Sequence, residues 1–163
     1  MCLDPDRFQR FCPVRYSNAG PAGPKLTSAE PGEIAYAEGV LLDWKCGALA
    51  EGLACYRNAE FFKAHEHWES VWLKLEGQEK RFLQALIQMT AAFHHMQKGN
   101  SGGAAGLLQS ALEKLEPCPE HFGGIALASL CAEIREWLRV IECGEPTIPP
   151  CFPRICPLDL PPK

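Results

Sequence analysis

Five polar side chains set among aromatic and aliphatic neighbours carry the chemistry that this sequence offers: His65, Glu69, Gln84, Gln88 and His95, with Glu66 at their edge. They fall in two stretches, FFKAHEHWESVW (61–72) and FLQALIQMTAAFHHMQKGN (82–100). A His and a Glu at i and i+4 on a helix can share one divalent ion. His95 would supply a third ligand and leave an open position for water, the pattern of a catalytic metal site. The His65-Glu66-His67-Trp68-Glu69 string is not a zinc-protease motif, because that motif needs a second His where Glu69 stands. A di-iron bundle fits less well, since it needs carboxylates from several helices and the second stretch supplies none.

The same residues allow metal-free chemistry. A glutamate held among tryptophans has its charged form disfavoured, so Glu66 and Glu69 are the candidate acid/base pair. Trp68, Trp72, Gln84, Gln88 and Asn100 are the candidate binding residues, the glutamines because a paired donor and acceptor orient a polar ligand well. The plain alternative is that His, Glu and Gln satisfy one another as a polar core that fixes helix register with little net gain in stability.

The elements that must position these groups are helical. At about 100° per residue, His65, Trp68, Glu69 and Trp72 share a stripe, with Glu66 beside it. In the second stretch Gln84, Gln88, Ala91 and His95 fall within about 60° of arc, opposite Phe82, Leu86, Met89 and Phe93. A helix apolar over most of its circumference is a buried central one. The two stretches therefore read as an antiparallel hairpin whose polar stripes meet, with Ala91 and Ala92 small enough to admit a close neighbour.

Around this hairpin, apolar residues recur at helical spacing from Glu33 to Arg57, predicting one interrupted helix or two short ones. Asn58-Ala59-Glu60 reads as a tight turn, and Gly77 as the break before a helix that begins at Glu79 and runs to Lys98. Gly99-Asn100 reads as a left-handed helix end followed by a cap. Further helices are predicted over Ala104–Leu115 and about Phe122–Ile141, and no strand is expected. The fold class is all-α, a compact bundle of five to six helices built on antiparallel hairpins with Pro-rich non-helical tails. The organisation is an irregular arm over 1–32, a helical domain over 33–143 and a Pro-rich tail over 144–163. After Gly144 it holds seven prolines in 19 residues, interleaved with Phe152 and Ile155, and is expected to lie extended across the helices.

Composition narrows the function classes. A net charge of −4 and a pI near 5.7 provide no broad basic surface, which argues against nucleic acid as a partner. No apolar run approaches the ~20 residues that span a bilayer, so no membrane role is expected. Nine cysteines, an odd number without a CxxC pair, read as reduced thiols of a cytoplasmic protein. The arm has Arg7, Arg10, Arg15 and Lys25 with no acid between Asp6 and Glu30, which is also compatible with organelle targeting.

Residues Asn58 to Leu108, through FFKAHEHWESVW, FLQALIQ, His95 and GNSGGAAGLL, resemble the helical family catalogued as domain of unknown function 309. Its usual pattern is Tyr/Phe-Glu-Ala-His-Glu-x-x-Glu-x-x-Trp, then Leu-Gln-Gly-Leu-Ile-Gln, a His and Gly-Asn. Lys63 stands where an acid is common and Ala85 where Gly is usual. The resemblance implies an all-helical fold and singles out His65, Glu66, Glu69, Trp72, Gln84, Gln88, His95 and Asn100, but carries no activity. Three functional readings follow from the sequence. The cluster is a structural polar core or small-ligand site, or it is the centre of a divalent-metal-dependent hydrolase-like enzyme, or the hairpins are a scaffold for a protein partner.

Overall fold

Residues 77–97 hold apolar side chains around most of their circumference, and the chain is folded about them. The structure is a computed structural model and describes residues 42–143 and 151–158. In these it has five helices and one short hairpin: α1 (Gly47–Arg57), α2 (Phe61–Trp72), α3 (Gly77–Gln97), α4 (Ser101–Leu115), β1 (His121–Phe122), β2 (Ile125–Ala126) and α5 (Leu127–Cys143). The expectations for the arm 1–32, for residues 33–41 and for residues 144–150 and 159–163 of the tail lie outside the described residues.

Each helix packs on its neighbour in sequence from α1 to α5, so the bundle is a run of hairpins. The axis is α3, whose Phe82, Leu83, Ala85, Leu86, Met89, Ala92 and Phe93 are sealed from solvent. Flanking it are α2 and α4, which make slight contact with each other at most. Gln84, Gln88, Ala91 and His95 form the half-buried stripe of α3, and the surface they make with α2 and α4 is called the channel below.

The connections follow backbone chemistry. Ala59 takes a left-handed φ of 58° to turn α1 into α2, and its carbonyl accepts from the Gln97 amide at 2.9 Å. Gly99, at φ 75°, ends α3, and the Asn100 side chain caps α4 by accepting from the Gly103 N–H at 2.9 Å. The expected helix from Phe122 starts instead at Leu127. Gly123 and Gly124, at φ 57° and 78°, form the two-residue turn of a β-hairpin that pairs Phe122 with Ile125. The Gly123 carbonyl accepts from the Trp44 indole at 2.6 Å, which ties this hairpin to the chain before α1.

Residues 151–158 run extended over the helices. Phe152 sits against Phe61, Phe93 and Trp137 with ring centroids 4.7, 5.0 and 5.7 Å away. Proline-rich backbone has few N–H donors but keeps its carbonyls, so donors come to it from the core. The Tyr56 hydroxyl donates to Pro153 O at 2.7 Å, and the Trp137 indole to Cys151 O at 3.1 Å.

Candidate functional site

Two contacts fix how α2 lies along α3. The Phe62 and His94 rings stand 5.5 Å apart at one end, and the Lys80 ammonium lies 4.7 Å over the Trp72 ring at the other. Interpolating between them along antiparallel helices puts Gln88 level with the His65–Glu69 turn and Gln84 level with Glu69. His95 is then level with the very start of α2. The stripe from Gln84 to His95 is eleven residues, ~16 Å of helix axis. It is a line along the channel and not a point.

That spacing corrects the expectation of one joined cluster. His65 and Glu69 do meet, with Nδ1 and Oε2 3.9 Å apart, close enough for electrostatic attraction but too long for a hydrogen bond. Among the described residues no hydrogen bond links His65, Glu66 or Glu69 to Gln84, Gln88 or His95. His95 is engaged elsewhere, its Nδ1 3.0 Å from the Asn100 amide nitrogen. Because Asn100 Oδ1 is taken by Gly103, the Asn100 NH2 faces the imidazole. The His95 proton then sits on Nε2. Asn100 is thus a helix cap and a partner of His95. Among the described residues no three His, Cys, Asp or Glu side chains gather as a metal set, so His65, Glu69 and His95 do not converge on one ion.

Glu66 and Glu69 are both exposed, and the tryptophan-lined enclosure inferred for an acid/base pair is not there. The reason is Trp68, which turns the other way. It is fully buried against α1, its indole donates to Leu49 O at 3.2 Å, and it meets Trp44 edge-on and Tyr56 in a stack, each at 6.0 Å. Gly52 makes this seat: a Cβ there would lie 2.3 Å from the Trp68 Nε1. Trp68, expected as a binding residue, is a core side chain here.

The channel side of α2 has a different character. His65 Nδ1, Trp72 Nε1 and Gln88 Oε1 are buried atoms without a hydrogen-bond partner. Their residues are half-buried. The other three tryptophans, Trp44, Trp68 and Trp137, all donate to a backbone carbonyl. Gln84 lies further along the floor, in the wall of a hollow shared with Lys80, Arg81 and Lys114.

Two features escaped the sequence reading. His94, on the flank of α3, has its ring 5.5 Å from that of Phe62 in a tilted contact, and burial, aided by Lys98, His95 and His65, holds its imidazole below the ordinary range, while a hydrogen bond to Gln97 works the other way. The cations Lys80, Arg81 and Lys114 converge on the hollow, which only the pairing of α3 with α4 could reveal. Burial pushes the Cys118 and Cys131 thiols up, and a hydrogen bond to Asp43 does so for Cys46, which disfavours their thiolate forms. No described helix is long and apolar enough to cross a membrane.

Over 99 residues the chain is 32% identical to an uncharacterized protein of Aquifex aeolicus (strain VF5). That alignment takes in 60% of this chain and 30% of the relative, so the chain spans less than a third of that protein's length. Residues 49–107 match the family described as "Domain of unknown function (DUF309)", a span that holds α1, α2, α3 and the opening of α4. Residues 49–107, with α2, α3 and the opening of α4, are thus a DUF309 domain.

Proposed function

We propose that the channel between α2 and α4 is a small-ligand site, with His65, Gln88 and Trp72 as its recognition groups. The observation that carries this reading is the set of three buried, unpartnered polar atoms on its walls. A buried donor or acceptor without a partner costs about 1–3 kcal/mol, and a core that existed only to fix register would pair them. Trp72 offers a donor, Gln88 an acceptor, and His65 either according to its tautomer. His65 and Trp72 are seven residues apart, ~10 Å along the axis, the length of a small metabolite. Glu69 stands at the rim, within electrostatic reach of His65.

Exposure favours this reading over a scaffold. His65, Gln88 and His95 are half-buried and Glu69 is exposed, as residues along a cleft would be, whereas the large exposed apolar residues Phe62, Leu73 and Leu158 are few. The metal-dependent reading has less to support it, since the proposed ligands do not converge.

The test uses the four indole N–H resonances as internal reporters, with panels of small carboxylates, amides and polyols as probes. For one panel the Trp72 signal should shift saturably, while those of Trp44, Trp68 and Trp137, held by backbone carbonyls, stay in place. Gln88→Leu should abolish the shift without lowering the melting temperature. If no compound moves Trp72 at millimolar concentration, or all four signals move together, the reading is wrong.

A further inference from the structure

Between the start of α3 and the end of α4 the surface dips into an open hollow of about 420 Å3, walled by Gly77, Lys80, Arg81, Gln84, Glu113 and Lys114. Three of those side chains are cations and one is an acid, on a chain whose net charge is −4. The local sign is thus opposite to that of the whole molecule, and a concave wall concentrates its field on whatever occupies the hollow.

Two of the cations are held in place without being neutralised. Lys114 Nζ donates to Ser110 O and Oγ at 3.3 and 3.0 Å, both uncharged acceptors, and Lys80 Nζ rests on the Trp72 face. Among the described residues none of the three forms an ion pair. Glu113, the one acid on the wall, is approached by the Gln109 amide at 3.5 Å. A lysine ammonium has three donors and an arginine five, so donors remain at each cation.

The geometry points to a binding site for a small phosphorylated molecule, its phosphate held by Lys80, Arg81 and Lys114 and its body hydrogen-bonded by Gln84 and Glu113. Arg81 supplies the planar fork that matches two phosphate oxygens, and the two lysines supply point charges. A bare anion would gain nothing from Glu113, whereas a ligand carrying hydroxyl or amino groups beside its phosphate gives that carboxylate donors to accept from. The volume lies within the range of small-molecule sites. This inference uses side chains other than His65, Gln88 and Trp72, although its Lys80 rests on the Trp72 ring.

Isothermal titration of the full chain with ribose 5-phosphate, inorganic phosphate and ribose, at ionic strength held constant with sodium chloride, tests it. Ribose 5-phosphate should bind saturably and more tightly than inorganic phosphate, and ribose not at all. Arg81→Gln and Lys114→Gln should each weaken the phosphate ester by about tenfold or more. Arg81 is exposed and forms no ion pair, so Arg81→Gln should keep the wild-type melting temperature, and a folding defect cannot mimic the loss. Glu113→Gln should narrow the gap between the ester and inorganic phosphate. Equal affinity for the two phosphates in the wild type would mean that only a bare ion is held and would overturn the proposal. So would the absence of saturation by about 10 mM, or unchanged binding in both cation variants.

Discussion

Trp68 and Trp72 stand one turn apart on α2, and they have opposite surroundings. Trp68 is sealed, stacked and hydrogen-bonded, and Gly52 leaves out a side chain to make room for it. Trp72 is half-buried with its N–H closed off and unpaired, and a lysine lies across its ring. The polar atom of the first ring is satisfied by protein, and that of the second, on the same stripe of the helix, is not. Packing fully accounts for the first. The second makes sense as a surface prepared for something else, because an unpaired buried group is a cost that a purely structural interface has no reason to keep.

The largest effects should come from disturbing the sealed indole. Trp68→Ala should cost about 3–5 kcal/mol in urea unfolding, the range for emptying a large core site. Gly52→Ala should cost about 1–3 kcal/mol by overpacking, because its new methyl meets the indole and the ring has no free space to retreat into. A loss under about 0.5 kcal/mol for Gly52→Ala would mean that α1 and α2 can slide, and the contrast between the two indoles would weaken.

A gentler pair of substitutions compares the two indoles directly. Trp68→Phe removes the bond to Leu49 O and shrinks a buried ring, for a loss of about 2 kcal/mol. Trp72→Phe removes a donor that has no acceptor, so stability should stay within about 0.5 kcal/mol of wild type or rise. Equal losses from both would show that the Trp72 indole has a structural partner in solution, and the channel would lose one of its recognition groups.

The sequence made the helices legible because five segments keep a period of 3.6 residues and are punctuated by Gly77, Gly99 and Pro117. It also made the Asn100 cap legible, since Gly-Asn after a helical run has few other stereochemical uses. The Gly123-Gly124 pair between Phe122 and Ile125 was an equally good hairpin signal, hidden because a helical period can be drawn through it. The site was legible by face but not by depth. A wheel places Gln84 and His95 on one stripe and discards the ~16 Å between them. It also groups Trp68 with Glu69, although neighbouring residues lie about 100° apart and here one is sealed while the other is in solvent. The hollow at Lys80, Arg81 and Lys114 was out of reach in principle, because it joins the start of one helix to the end of another, over thirty residues along the chain.

The smallest expected effect concerns His94, at the end of the channel where Phe62 stands against α3. Burial depresses its affinity for a proton in the folded chain, and the charges of Lys98, His95 and His65 act in the same direction against the Gln97 bond. Its folded value therefore lies below the ordinary value of about 6.5 that it has when unfolded. Above that value His94 is neutral in both states and its contribution to stability is intact. As pH falls through it the unfolded chain takes up the proton first, so stability is lost until the folded value is passed. His94→Gln should accordingly lose less of its melting temperature than wild type between about pH 7.5 and about pH 5. The difference should be modest, because the ring is only half-buried. His65→Gln is the control: it removes one of the neighbouring imidazoles and leaves the burial of His94 in place, so the acid-side loss should persist in it. Parallel melting curves for wild type and His94→Gln across that range would mean that the Phe62 contact does not shield the imidazole, and that this end of the channel is open to water.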